Sequence, residues 1–240
     1  MNALKCVLIT GAAGSIGRVV SAGLRDRYRL RLMYNRTVLS AVGDEEVVVG
    51  NLRDLEVAER AVTGVDAIVH LAADPKVEAT WESTLENNII ATYNVYEAAR
   101  RHGVKKIVFA STNHVNGYYE LDGLPTSPEM AIRPDGYYGA SKAFGEALGR
   151  FYSDRHGISI ICLRIGSFLE RPRVPRNLAT WLSHRDCVQL VWRSIETGVP
   201  FTVVYGISGN RRRYWDISSA QRILGYVPED DAEEYAAELL

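Results

Sequence analysis

Short apolar runs alternate with longer amphipathic stretches along this chain. The runs at 6–10, 30–34, 47–49, 67–71, 106–110 and 159–164 are dense in Val, Ile and Leu and lack polar alternation. Strands covered on both faces read this way. Between them, stretches at about 15–27, 54–63, 81–102 and 137–156 have helical spacing of apolar residues. This alternation predicts an α/β chain with a parallel sheet and helices on both sides. Right-handed crossovers then make the sheet doubly wound. The regularity stops after Arg164. Pro172, Pro175 and several arginines mark a long irregular loop, a kind of segment that usually carries function rather than core. A helix from about 186 to 196, a strand around 201–205 and a short helix near 232–240 are expected to form a small C-terminal cap.

Length and charge narrow the picture. The 240 residues allow one large domain, or one domain with a small appendage. Lys+Arg number 28 against 29 Asp+Glu, which leaves no basic footprint for nucleic acid. At 47% hydrophobic residues the chain can bury a sizeable core. The three cysteines, Cys6, Cys162 and Cys187, are too few and too scattered for a disulfide framework or a zinc site. Cys6 and Cys162 lie in apolar runs, where a cysteine acts as a small core residue. No apolar stretch approaches the ~20 residues of a membrane span. Residues 1–5 run straight into the first strand and leave no room for a signal peptide. A cytoplasmic protein with no membrane or nucleic-acid partner is expected.

The first strand ends in Thr10-Gly11-Ala12-Ala13-Gly14-Ser15-Ile16-Gly17. Glycines spaced this way allow a tight turn and close approach of the backbone to a pyrophosphate. A helix starting near Ser15 would aim free N–H groups at the phosphates. A Gly-rich strand–helix turn of no function is the alternative, and the position after the first strand favours the dinucleotide. NAD sites commonly place a carboxylate about 20 residues on, against the ribose 2′-hydroxyl. Here the stretch reads Leu32-Met33-Tyr34-Asn35-Arg36-Thr37. Arg36 is placed where a guanidinium can pair with a 2′-phosphate, and a solvated surface arginine is the competing reading.

Tyr138-Gly139-Ala140-Ser141-Lys142 puts a phenol and an ammonium one helical turn apart on one face. A nearby ammonium lowers a phenol's pKa, so this tyrosine is expected to shuttle a proton near neutral pH. The strand before it ends in Phe109-Ala110-Ser111-Thr112-Asn113-His114. Thr112 can hydrogen-bond a reacting oxygen and hold it against Tyr138. His114 is the histidine beside this chemistry, and a substrate hydrogen bond is its expected role, with a structural role as the alternative. His70 ends an apolar strand and reads as a satisfied buried histidine. His102, His156 and His184 lack clustered ligands, so no metal site is expected. Arg211-Arg212-Arg213 followed by Tyr214-Trp215 reads as a solvated loop beside a packed tryptophan rather than an anion patch. The acidic stretch from Glu229 to Glu234 reads as a charge bias at the start of the last helix.

Taken together, these segments resemble the short-chain dehydrogenase/reductase superfamily, in its extended branch of epimerases and dehydratases, and within it the bacterial uronate dehydrogenases. The likeness also runs through Val69-His70-Leu71-Ala72-Ala73, Asn88-Ile89-Ile90, Gly117-Tyr118-Tyr119, Arg133-Pro134-Asp135-Gly136, Arg164-Ile165-Gly166-Ser167, Thr180-Trp181-Leu182-Ser183-His184 and Trp215-Asp216. The resemblance implies a Rossmann-type NAD(P)-binding domain over 1–165 and a small substrate-binding region over 166–240 that is not an independent domain. It implies oxidation of a hexuronate at C1 to an aldarolactone by a homo-oligomeric enzyme. Tyr138 would be the general base. Lys142 would tune it and hold the nicotinamide ribose, and Thr112 would take the place of the family's catalytic serine or threonine. Gly11, Gly14, Ser15, Ile16 and Gly17 would cradle the pyrophosphate. Leu71, Ala72, Ala73 and Asn88 would line the cofactor groove, and Ile165 the nicotinamide. Asn113, His114 and Ser167 would meet sugar hydroxyls, and Arg176 the carboxylate.

The departures from that pattern concern the cofactor. The resembled enzymes use NAD and carry an acidic residue at the end of the second strand, where this chain has Tyr34. They have an Asp-Leu pair after the third strand, where this chain has Asn51-Leu52. Two carboxylates are thus missing from the adenosine end, so NADP is the expected cofactor and NAD the alternative, with Asn35, Arg36, Asn51 and Leu52 around the adenosine. Asp74-Pro75-Lys76 stands where those enzymes have a small polar residue near the sugar, and Lys76 either contacts a carboxylate or phosphate or is simply solvated. The rival readings are a sugar or sugar-nucleotide dehydrogenase, epimerase or dehydratase of the same branch, and a non-catalytic NAD(P) sensor. About 75 residues after Arg164 is short for a nucleotide-sugar domain, and sensors often lose the Tyr/Lys pair.

Overall fold

A computed structural model describes residues 5–40 and 43–240. The expectation about a signal peptide rests mostly on residues 1–4, outside the described residues. In chain order the first half runs β1 (Cys6–Thr10), α1 (Ser15–Leu24), β2 (Arg29–Tyr34), β3 (Glu46–Val49), α2 (Leu55–Val62) and β4 (Ala67–His70). There follow α3 (Trp81–Thr84), a π-helical segment (Leu85–Ile90), α4 (Ala91–Arg101), β5 (Lys106–Thr112), a 3-10 turn (Asn113–Asn116), α5 (Gly117–Leu121), α6 (Tyr137–His156) and β6 (Ser159–Ile165). The last third holds β7 (Ser167–Phe168), α7 (Asn177–Thr180), β8 (Trp181–Leu182), α8 (His184–Glu196), β9 (Phe201–Gly206) and α9 (Ala236–Leu239).

Seven strands pair in the order β3-β2-β1-β4-β5-β6-β9, all parallel. The alternation of side chains along each strand explains the two-sided burial. In β1, Val7 and Ile9 join a core with Val20 and Leu24 of α1 and Leu190 and Val191 of α8. Cys6 and Leu8 point the other way, into a core with Val57 and Ala58 of α2, Val95 and Ala98 of α4, and Tyr152 of α6. A strand buried on both sides has no polar face to show, which is why these runs read as solid apolar. Chain order reverses between β1 and β4. The crevice outside their carboxyl ends is where ligands sit in open parallel sheets.

Two elements expected in a cap belong to the central layers. β9 pairs with β6 from Ile160↔Phe201 to Ile165↔Gly206 and closes the sheet edge, and α8 shares the core with α1. A boundary at residue 165 would cut the sheet between β6 and β9. What remains outside the layers is the 166–183 segment and the tail after 206. The tail returns so that Ala232 and Leu239 cover Leu178 and Trp181.

The expected helical stretch over 81–102 forms without a break, but its middle is widened. Residues 85–90 open into π-helical turns, with Asn88 among them and 1% exposed. Asn88 accepts from the Asp74 amide at 2.8 Å and donates to the Asp74 carbonyl at 3.2 Å and the Ser141 hydroxyl at 3.0 Å. Local widening of this kind commonly accompanies functional segments.

His70 is satisfied on both ring nitrogens, by the Thr10 hydroxyl at 2.8 Å and the Thr92 hydroxyl at 3.2 Å. Burial, with the Lys142 charge adding to it, lowers its pKa to about 3. The tail pairs with two members of the arginine run, Arg211 with Asp231 and Arg212 with Glu233, while Arg213 donates to the Asn210 carbonyl. Beside it Trp215 stacks on Tyr205, ring centres 5.4 Å apart.

Candidate active site

Two adjoining cavities open at the carboxyl edge of the sheet, of about 510 and 470 Å³. They share Gly11, Gly14, Ala72, Ala73 and Pro75 as a common wall. The first extends over the ends of β2 and β3, and Tyr34, Asn35, Arg36, Asn51 and Leu52 line it. The second extends toward β5 and α6 and is lined by Ser15, Ile16, Gly17, Leu71, Thr112, Asn113, His114, Tyr138, Lys142 and Ile165.

The glycine loop fits a dinucleotide. Gly11 has φ +68, and a Cβ on it would stand 2.9 Å from the Ala72 amide nitrogen. A Cβ on Gly17 would stand 2.4 Å from the Gly11 carbonyl oxygen. Both glycines therefore let the β1–α1 turn pack tightly under the cavity floor. Helix α1 starts with no side-chain cap, which leaves its first N–H groups to a ligand. A phosphate is the natural partner for such a terminus.

Thr112, Tyr138 and Lys142 come together on the wall of the second cavity. The Thr112 oxygen accepts from the His114 amide at 3.3 Å, which leaves its proton free to donate toward the Tyr138 oxygen. Lys142 is 3% exposed. Its ammonium donates to the Ala110 carbonyl at 2.8 Å and lies 5.9 Å from the Tyr138 ring centre. Burial lowers its pKa to about 8. The expected fall in the Tyr138 pKa is not found. Burial raises it above its ordinary value, the Asp74 charge adds to the rise, and the Thr112 hydrogen bond only partly opposes it. The cause is desolvation, which penalises phenolate and ammonium alike when both are taken from water.

His114 is held by a carboxylate that the spacing of the sequence did not single out. Its Nδ1 lies 2.7 Å from Asp135 Oδ2. Asp135 fits there because Gly117 has no side chain, since a Cβ would fall 2.0 Å from that same oxygen. The Asn113 amide nitrogen and the other Asp135 oxygen are buried with no partner among the described residues. A hydroxyl-rich ligand could satisfy the Asn113 nitrogen.

Four expected residues are placed differently. Asn88 does not line either cavity, because its amide is spent on Asp74 and Ser141 behind the wall. Lys76 is exposed and lines neither cavity. Ser167 lies between two lining residues, Gly166 and Phe168, and its hydroxyl is engaged by Thr180 at 2.8 Å and Arg176 at 3.2 Å. Arg176 lines neither cavity and is already paired with Glu120. Arg18, which sequence spacing did not mark, lines the first cavity with Arg36. A helix position four residues after Gly14 was the available signal.

Among the described residues no cluster of His, Cys, Asp or Glu could hold a metal, and no helix is long and apolar enough to cross a membrane.

Residues 7–184 match the model of the NAD dependent epimerase/dehydratase family. The chain is 44% identical over 236 residues to a uronate dehydrogenase of Pseudomonas syringae pv. tomato, covering 97% of this chain and 85% of that protein. It is 37% identical over 250 residues to an L-arabinose 1-dehydrogenase (NAD(P)(+)) of Haloferax volcanii, covering 94% of this chain and 97% of that protein. A crystal structure of the uronate dehydrogenase from Agrobacterium tumefaciens, a tyrosine-to-alanine mutant complexed with NAD, superposes with a TM-score of 0.92. It shares 41% identity and covers 99% of this chain and 89% of that one.

Proposed function

The chain belongs to the NAD-dependent epimerase/dehydratase family, and on that premise we propose that it is a dehydrogenase that oxidises a hexuronate at C1. The product is an aldarolactone. One observation carries this reading: Thr112, Tyr138 and Lys142 share a cavity wall with a glycine loop whose helix terminus is uncapped. The identity to uronate dehydrogenases supports the substrate class.

NAD(P), when bound, supplies the acceptor for the hydride that leaves C1. Gly11, Gly14, Ser15, Ile16 and Gly17 would hold its pyrophosphate, Leu71, Ala72 and Ala73 the groove, and Ile165 the nicotinamide. Thr112 holds the C1 hydroxyl oxygen against Tyr138. Tyr138 takes the hydroxyl proton as the C–O bond becomes a carbonyl. Lys142 would orient the ribose, and its charge favours the phenolate. His114, steadied by Asp135, and Asn113 bind sugar hydroxyls. Arg176 binds the carboxylate, with Ser167 bracing it. The intact Tyr138/Lys142 pair favours turnover over cofactor sensing.

NADP is the preferred cofactor in this reading. Arg36 and Arg18 line the adenosine end, and neither makes an ion pair among the described residues. Two guanidiniums there can grip a 2′-phosphate. A cytoplasmic homo-oligomer completes the proposal, and light scattering checks the assembly. The test of function is nicotinamide reduction with glucuronate, galacturonate, glucose 6-phosphate and L-arabinose, each with NAD and with NADP. Turnover of a uronate is expected, and no turnover of any of them overturns the reading.

A further inference from the structure

Arg176 would present a free cation to a sugar carboxylate if it were unpaired, and it is not. Glu120 of α5 occupies the Nε–Nη2 edge of the guanidinium with both carboxylate oxygens, the Nη2 bond at 2.8 Å. Nη1 donates to the Ser167 hydroxyl at 3.2 Å. The Tyr214 hydroxyl donates to Glu120 at 2.7 Å, and the Trp215 ring lies 5.8 Å beneath the guanidinium. Burial pushes the Glu120 carboxyl up, but the hydrogen bonds from Arg176 and Tyr214 outweigh it and hold it below the usual carboxylate range. Glu120 is therefore ionised at neutral pH and fixed by three hydrogen bonds, two from Arg176 and one from Tyr214.

A guanidinium carries five N–H donors in a planar fork, and Glu120 and Ser167 take three of them, which leaves one N–H on Nη1 and one on Nη2 for a second anion. A carboxylate docked there shares one positive charge with Glu120, and the two anions repel. A neutral substituent at the same sugar carbon meets a charge that is already balanced. We infer that Glu120 is a specificity-determining residue that tempers Arg176, so that the site oxidises neutral aldoses at C1 alongside uronates. The inference rests on the C1-dehydrogenase reading above and deepens it.

Glu120→Gln tests it, because the amide keeps the length and an acceptor oxygen and removes the charge. The assay measures kcat and KM for glucuronate against glucose and for galacturonate against galactose, in wild type and variant. We expect the uronate-to-aldose ratio of kcat/KM to rise about fivefold or more, through a lower uronate KM with kcat within about twofold. A purely structural role would move both sugars of a pair together. An unchanged or smaller ratio therefore overturns the inference. Glu120→Ala, with the same pairs and the same expected rise, serves if the glutamine variant does not fold. A wild type active on both sugars with no change in ratio sinks the inference alone. A wild type inactive on every sugar with either cofactor sinks the dehydrogenase reading as well.

Discussion

Lys142 donates to the carbonyl oxygen of Ala110 at 2.8 Å, which ties the tyrosine-bearing helix to the end of β5. Four residues further along the same face, Glu146 accepts from the Ser111 hydroxyl and from the Arg164 guanidinium, 2.9 and 2.8 Å away. Tyr138, Lys142 and Glu146 thus form one stripe on α6, and the lower two bind β5 and β6. The third then meets Thr112 as a consequence of buried contacts beneath it.

Tyr138→Phe removes the phenol oxygen and nothing else. We expect kcat to fall by about two orders of magnitude or more, with the cofactor Kd within about threefold of wild type, since binding rests on the loop and groove. Equilibrium titration and steady-state rates check this. Turnover within a few-fold of wild type removes Tyr138 from the chemistry.

Sugar oxidation should speed up with pH. The base must be phenolate, and burial holds the Tyr138 pKa above its ordinary value. Its ionised fraction grows roughly tenfold per pH unit in that range. Lys142 loses its proton near pH 8, and with it the charge that favours phenolate. The log kcat/KM profile should climb to about that pH and then flatten. A level profile below it contradicts the assignment.

Cofactor choice turns on Arg18 and Arg36. NADP should bind at least as well as NAD in the wild type. Arg36→Ala should weaken NADP by roughly tenfold or more, the worth of one charge-assisted contact, and leave NAD nearly unaffected. Arg18→Ala should do the same to a smaller degree. NAD binding tenfold better than NADP, with Arg36→Ala silent, would refute the preference.

Arg176→Ala should lower kcat/KM for a uronate by about 10- to 1000-fold, while the matching neutral aldose changes far less. Glu120 adds to the loss, because it stays behind without its partner. Lys76→Ala, at an exposed position whose residue lines neither cavity, should leave the uronate-to-aldose ratio as it was. Equal losses on both sugars for Arg176→Ala would make that residue structural.

Gly117→Ala places a methyl group 2.0 Å from Asp135 Oδ2. Asp135 must then withdraw from His114. We expect kcat/KM to fall by about tenfold or more through a higher KM, with a melting temperature that shows the fold intact. Asp135→Asn should show a milder version of the same pattern. Wild-type KM in both variants would separate His114 from substrate binding.

The apolar runs, the glycine loop and the Tyr138–Lys142 spacing are local features. Each depends on residues within a few positions of one another, so the sequence alone determined the doubly wound sheet, the glycine turn after its first strand and the pairing of Tyr138 with Lys142 on one helix face. It also marked His70 as a satisfied core residue, since its neighbours are all apolar. What the sequence could not determine depends on contacts between distant positions. The membership of β9 in the sheet follows from pairing with β6 some forty residues earlier, which no local pattern of five residues announces. The duty of Asn88 follows from Asp74 and Ser141 closing around it. The berth of Asp135 depends on the missing side chain of Gly117, and the charge of Arg176 on Glu120, 56 residues away. The raised Tyr138 pKa was likewise decided by tertiary structure. A spacing of four brings a lysine near a tyrosine, but only the packed interior sets how much water each has lost, and that desolvation outweighs their proximity.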